Sequence, residues 1–176
     1  AGRRLMIGWS GCPDATAENP TVARGWQCAL TVPRELSMRD GKLCQQPAHE
    51  IERMRGDCVR TTGGETVEEP GRLFDLVVFC EGAKMVELEI RKGVFVRYAD
   101  GMLTLDMGDE GYGRDQRSIE LGELRDLRVL SDTTMVEIFA NGGEAALTSR
   151  TYSSAVPAMA LHAEGAASMD FYRLAH

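Results

Sequence analysis

The chain has 176 residues, enough for one domain or for one domain with part of another. With 43% hydrophobic and 27% charged residues it has the composition of a folded globular protein and is too apolar for disorder. A net charge of −7 without a basic stripe, and only 6% aromatics, argue against a nucleic-acid partner.

No apolar run approaches the roughly 20 residues that cross a bilayer, so no membrane partner is expected. The opening "AGRRLMIGWSG" sets two arginines before an apolar run too short for a signal-peptide core, and Arg3 to Trp9 reads as a buried strand. Ala1 is not an initiator Met, which is consistent with a chain processed or cut from something longer. Residues 10–25 are rich in Gly, Pro, Asn and Ala and read as a long loop. "WQCALTVPRELSM" is a strand passing Pro33. Proline cannot donate to a ladder, so this place is an edge, a bulge or a strand junction. Asp40-Gly41 signals a tight hairpin, with "KLCQQP" as the returning strand. That hairpin has few neighbours in its own sequence to pair with.

In "AHEIERMR", residues 48–55, Ile51 and Met54 lie three apart amid charges, which predicts about two turns of amphipathic helix. "GDCVRTTGGETVEEPG" is turn-rich and reads as a boundary. From Leu73 onward the period is two. "LFDLVVFC" is a half-buried to buried strand, and "KMVELEIRK" alternates Met85, Glu87 and Glu89 against Val86, Leu88 and Ile90. "GVFVRYADG" and "MLTLDMG" join through Asp100-Gly101, a second hairpin. "LRVLSD", "TTMVEIFAN", "EAALTSRTY", "PAMALHAEG" and "ASMDFYRLA" complete the series, with Asn141-Gly142-Gly143 as a turn. Val136, Ile138 and Ala140 share one face of their strand, and Met135, Glu137 and Phe139 share the other. About nine short strands with turn signals every 8 to 12 residues predict an antiparallel β-sandwich.

Chemistry-bearing residues are sparse. The five cysteines, Cys12, Cys28, Cys44, Cys58 and Cys80, are odd in number and form no CxxC. They read as free, mostly structural thiols, which leans towards a reducing, cytoplasmic location. His49, His162 and His176 lie far apart in sequence. In "DMGDEGYGRD" Gly108 and Arg117 stand where a calcium loop needs an oxygen ligand and a Glu. No metal site and no cofactor are expected. Glu35 beside Arg34 has the look of an acid with a charge partner, but an in/out pair on a strand needs no catalysis, and structure is the favoured reading.

The order of these pieces resembles the C-terminal part of glycoside hydrolase family 32, the invertases, levanases, inulinases and sucrose-6-phosphate hydrolases. The phrases that carry the resemblance are Gly8-Trp9, Pro33-Arg34-Glu35-Leu36, Asp40-Gly41-Lys42-Leu43 and Gln46-Pro47. Further on come Asp132, Val136-Glu137-Ile138-Phe139, and Thr148-Ser149-Arg150 with Tyr152. The likeness is weakest over 56–72 and 106–124. Where the family has Asp-Arg this chain has Asp106-Met107, a departure that bears on an inter-strand ion pair the resemblance implies.

The resemblance implies an all-β fold, a C-terminal antiparallel β-sandwich preceded by the last strands of a five-bladed β-propeller. Residues 1–47 are then the end of the last blade, 48–65 a linker with a short helix, and 66–176 the sandwich. It implies a retaining β-fructofuranosidase as the parent enzyme, acting on a fructose-containing sugar: sucrose, sucrose 6-phosphate or a fructan. The sandwich would serve stability and oligomerisation. The family's catalytic carboxylates belong to an Asn-Asp-Pro, an Arg-Asp-Pro and a Glu-Cys motif, none of which occurs here. Pro13-Asp14 and Cys80-Glu81 have the order reversed. No catalytic residue carries over, and the chain alone is expected to be inactive. Trp9 is the one candidate for substrate contact, packing its face against a fructosyl ring, with a Trp filling space between blades as the equal alternative. The expected partners are the missing N-terminal propeller portion or a second copy of the chain. A carbohydrate-binding, lectin-like sandwich is the alternative function, and it needs exposed aromatics on one face. Tyr98, Tyr112, Tyr152 and Tyr172 are scattered across separate segments.

Overall fold

The computed structural model describes residues 2–11, 19–111 and 114–175. Cys12, Pro13, Asp14, Tyr112 and His176 lie outside them.

Five short strands come first: β1 (Leu5–Met6), β2 (Trp9–Ser10), β3 (Ala29–Leu30), β4 (Arg34–Arg39) and β5 (Lys42–Pro47). They form a three-stranded sheet in the order β1-β4-β5 and a separate β2-β3 pair. The expected strand over Arg3 to Trp9 is therefore two pieces. Thr31 causes the break: its Oγ1 accepts from the Gly8 N–H at 2.8 Å while its own N–H donates to the Gly8 carbonyl. Pro33 marks the junction between β3 and β4, and its carbonyl accepts from the Ala48 N–H. Asp40 and Gly41 both take positive φ (50° and 76°), the pair of left-handed residues that a two-residue hairpin turn requires.

The predicted amphipathic helix is a 3₁₀ turn over His49–Met54, with Ala48 before it and no side-chain cap. A segment this short and uncapped gains little from an α-helical ladder, and the chain turns extended at once. The next strand, β6 (Arg55–Thr62), occupies the stretch that the sequence marks as turn-rich. It is a sheet edge with almost every residue exposed, so no alternation of polarity announces it.

The remaining strands are β7 (Thr66–Glu68), β8 (Phe74–Phe79), β9 (Met85–Arg91), β10 (Val94–Ala99), β11 (Met102–Asp106), β12 (Gln116–Glu120) and β13 (Asp126–Ser131). They continue with β14 (Met135–Ala140), β15 (Ala145–Arg150), β16 (Ala158–Ala160), β17 (His162–Glu164) and β18 (Ser168–Leu174). One sheet runs β12-β11-β10-β9-β17 and the other β15-β14-β13-β8-β18-β6; β16 pairs with β7. All pairings are antiparallel, and the 3₁₀ segments are short. The two sheets enclose one core. Phe74, Leu76 and Val78 of β8 and Phe171 of β18 meet Val86, Leu88 and Ile90 of β9 and Leu103 and Leu105 of β11. The protein is thus all-β, a two-sheet sandwich preceded by a small set of N-terminal strands.

Two strands depart from the expected pattern for reasons that bear on function. In β9 the alternation holds through Ile90, but Arg91 is also fully buried. Its guanidinium donates to Ser131 Oγ (2.9 Å) and to the carbonyls of Ser153, Arg72 and Asp132, pinning three loops; burial lowers its pKa to about 10. In β14 all six residues are buried, where one buried and one open face would suit a free outer sheet. The N-terminal strands cover the second face. No helix among the described residues is long and apolar enough to cross a membrane.

Candidate functional site

The junction between the N-terminal strands and the outer face of the six-stranded sheet gathers most of the buried polar chemistry. At its centre Arg34 of β4 donates through Nε (3.1 Å) and Nη2 (2.5 Å) to Glu137 of β14. Both side chains are buried, 8% and 2% exposed. Arg34 also reaches Gln45 Oε1 and Thr148 Oγ1, and the second Glu137 oxygen accepts from the Val32 N–H at 2.7 Å. The guanidinium lies 5.1 Å from the Phe139 ring centroid. All three guanidinium nitrogens and both carboxylate oxygens of this pair are hydrogen-bonded, the condition under which a buried ion pair stabilises.

The β4–β5 hairpin adds a second row. Arg39 donates to the carbonyls of Asn141 and Gly142, and Lys42 to Glu144, which also accepts from Arg125. Gly143, at φ 88°, sits so close to β5 that a Cβ there would lie 2.1 Å from the Gln45 carbonyl oxygen. Asn141, also at positive φ, fixes this turn by bonding the Arg125 N–H and the Glu123 carbonyl.

Charge also holds residues 48–55. Asp75, fully buried on β8, takes Arg55 at 2.7 Å and Arg128 at 2.7 and 2.9 Å, and Arg128 reaches Glu52. Ile51 is only half-buried and Met54 is exposed; both line a cavity of about 410 Å³ between the N-terminal strands and β13–β14. Arg3 bridges Glu35 and Glu50, and its guanidinium holds the Glu50 carboxyl down to about 2. Glu35 is thus in a surface ion-pair cluster.

Trp9, the one sequence-predicted site residue, is 60% exposed on β2. Its indole packs against Gly11, where a Cβ would lie 2.2 Å from the ring. With Ser10 and Thr31 it forms one wall of a cavity of about 260 Å³ whose other wall is β15 and Arg114 and Arg117. Tyr98, in contrast, is buried and donates to the Gly122 carbonyl, while Tyr172 stacks under Arg55 at 4.3 Å. The described tyrosines supply no aromatic platform. Asp106 does enter an ion pair, with Arg97 of β10, which also bonds Glu87; Met107 beside it is buried. Among the described residues no three His, Cys, Asp or Glu gather to hold a metal ion.

Sequence reasoning named Arg34 and Glu137 without joining them. The signal was present: Glu137 is the one charge in "MVEIFA" and shares its face with Met135 and Phe139. A lone charge on an otherwise apolar face asks for a partner laid over that face.

Comparison with known proteins places matches on both sides of this contact. Residues 1–47 match the model of the glycosyl hydrolases family 32 N-terminal domain, and residues 94–174 match that of the glycosyl hydrolases family 32 C terminal. The chain belongs to glycoside hydrolase family 32. It is 36% identical over 172 residues to the raffinose invertase of Escherichia coli, an alignment covering 88% of this chain and 35% of that protein. To the sucrose-6-phosphate hydrolase of Salmonella typhimurium it is 32% identical, covering 86% of this chain and 32% of that protein. The fold agrees with the solved sucrose-6-phosphate hydrolase of Lactobacillus gasseri at a TM-score of 0.84 and 21% identity, over 98% of this chain and 39% of that one. The β-fructofuranosidase of Bombyx mori gives 0.78 at 19% identity, over 99% and 39%. The chain spans about a third of the length of the curated relatives it matches.

Proposed function

We propose that these residues are the C-terminal part of a β-fructofuranosidase-type hydrolase acting on sucrose, sucrose 6-phosphate or a fructan. Residues 1–47 are assigned to the last blade of the catalytic propeller, 48–65 to the connection, and 66–176 to the sandwich. The observation that carries this reading is the match of both family models, in order, to one chain whose matched parts share a buried Arg34–Glu137 junction. The junction supports a mechanical role for the sandwich: it clamps the blade that ends the propeller. Retaining hydrolysis needs two carboxyl groups about 5–5.5 Å apart, one as nucleophile and one as acid/base, and these come from the propeller motifs this chain lacks. Trp9 is assigned to the substrate side of the blade, its exposed face available to a sugar ring. Cys28, Cys44, Cys58 and Cys80 are free thiols, which supports a cytoplasmic location.

The test is hydrolysis of sucrose and of sucrose 6-phosphate by two proteins, the 176-residue chain and the same chain extended N-terminally through its reading frame. The expected result is no turnover by the first and retaining hydrolysis by the second. Turnover by the 176-residue chain, or an inert extended protein that is folded, overturns the reading.

A further inference from the structure

The two N-terminal ladders are out of step. β1 pairs with β4 as Leu5 with Glu35 and Met6 with Arg34, a register that would carry Trp9 opposite Thr31. β2 instead pairs Trp9 with Leu30 and Ser10 with Ala29. Thr31 continues this second register, donating its N–H to the Gly8 carbonyl at 2.8 Å. Between the pairs Met6–Arg34 and Gly8–Thr31 lies Ile7 on one strand and both Val32 and Pro33 on the other. One extra residue on one of two paired strands is a β-bulge.

A bulge takes backbone groups out of the ladder, and each then needs another partner. Pro33 has no N–H, and its carbonyl accepts from the Ala48 N–H. The Val32 N–H donates to Glu137 Oε1 at 2.7 Å, so its acceptor is a sandwich residue only 2% exposed. The other Glu137 oxygen holds Arg34, the first residue after the bulge. On the near side Thr31 Oγ1 accepts from the Gly8 N–H at 2.8 Å, in the place of a ladder carbonyl. The same side chain packs on Gly8, where a Cβ would lie 3.3 Å from Thr31 Cγ2. Directly opposed residues share a face of a sheet, so the slip sets Leu30 beside Trp9, where the β4 register would set Thr31. Leu30 and Trp9 are both exposed, whereas Thr31 is half-buried with its hydroxyl on Gly8.

We propose that Thr31 and Glu137 are positioning residues for Trp9: through the bulge at Val32–Pro33 the sandwich sets the register in which Trp9 meets the sugar. This rests on the assignment of Trp9 to the substrate side of the blade. Glu137 fixes the residue after Thr31, and Thr31 fixes the residue before Trp9, so the contacts run in one line from β14 to β2. Bulges are common beside active sites because they re-aim a side chain.

The experiment compares Thr31→Val, which removes the acceptor at nearly constant shape, with Thr31→Ser, which keeps it. In the 176-residue chain carrying Trp26→Phe, Trp9 is the sole tryptophan. Its fluorescence anisotropy and the exchange of the Gly8 amide then report the relay without turnover. Thr31→Val should lower the anisotropy and speed Gly8 exchange about threefold to tenfold, the loss of one hydrogen bond. Thr31→Ser should restore both. Arg34→Met/Glu137→Leu, which removes both buried charges and the acceptor of the Val32 N–H, should lower the Trp9 anisotropy in the same way. In the N-terminally extended chain Thr31→Val should raise KM for sucrose by about the same factor with kcat unchanged, the mark of lost uniform binding. Unchanged Trp9 anisotropy in Thr31→Val or in the double variant, no rescue by serine, or a fall in kcat at constant KM overturns the proposal. An inert extended chain removes the hydrolase reading, and the anisotropy still decides whether the relay exists.

Discussion

Phe74 and Trp9 mark the two regions of this molecule. Phe74 is fully enclosed and stacks on Phe171 at 5.4 Å inside a core that two sheets close without help. Trp9 stands 60% exposed, in company with Leu5, Ile7, Leu30, Met38 and Leu43, all more than half exposed. The sandwich is folded by burial of its own apolar faces. The N-terminal strands bury little apolar area of their own and are held by named polar contacts to β14, the β14–β15 turn and β15. One region is stabilised by area and the other by specific pairs, so the two should respond differently to single substitutions. A region held by pairs is vulnerable to the loss of one partner.

The sharpest break is therefore Glu137→Ala. It leaves Arg34 buried without its carboxylate and the Val32 N–H without its acceptor. Breaking a buried pair on one side costs roughly 3–5 kcal/mol, and urea unfolding should show that loss. The double variant Arg34→Met/Glu137→Leu removes both charges and should recover most of it. A single-variant loss below about 1 kcal/mol would mean that water enters the junction freely and the pair is only a surface contact.

Gly143→Ala should come next. The left-handed backbone alone costs roughly 1–3 kcal/mol in a residue with a Cβ, and the new methyl meets the Gln45 carbonyl. The blade must lift away from the turn. Loss of the Lys42–Glu144 and Arg39–Asn141 contacts would follow, seen as faster hydrogen exchange in β4 and β5 with β8 and β9 unchanged. Equal acceleration in both regions would refute the separation drawn above.

How much of this was legible follows the same division. Strands that alternate because one face meets the core, β8, β9, β10 and β11, can be read directly, as can both Asp-Gly turns. β6 lacks the signal because it is the edge of its sheet and mostly exposed, whereas β12, also an edge, alternates in exposure but carries Arg117 beside Ile119 on its inner face, so polarity does not follow. The second buried face of β14 is not visible in β14 itself. It depends on a segment about 100 residues earlier, and only the isolated charge of Glu137 hints at it. Trp9 was legible as an unusual residue, but the arginines opposite it come from three separate stretches and meet only in the fold.

A smaller effect is expected from the exposed apolar side chains. Uncovered strand edges and apolar faces pair with what is available. The 176-residue chain should therefore self-associate through β1 to β3. Sedimentation at several concentrations should show a rising average mass, and Ile7→Glu with Leu30→Lys should suppress it without changing the unfolding midpoint by much. Self-association that persists in this double variant would place the contact elsewhere, with the free edge of β6 as the next surface to test.

The smallest effect on the native state separates the cysteines. Cys28 and Cys58 are exposed, whereas Cys44 and Cys80 are buried. Alkylation at pH 8, mapped by peptide mass, should label Cys28 and Cys58 in the folded chain and reach Cys44 and Cys80 only on unfolding. Burial pushes the Cys80 thiol from the ordinary 9.0 up to about 12, so it stays protonated and unreactive well above neutrality. The folded value is the higher one, so the stability linked to this group is fully present below pH 9 and is lost as the pH rises through about 12. Alkaline unfolding should accordingly shift to higher pH in Cys80→Ala, set against the acid-side behaviour, which that substitution leaves unchanged. Labelling of Cys80 in the native chain at pH 8, at a rate matching Cys58, would show that the sandwich opens on its own and is not the closed half of the molecule.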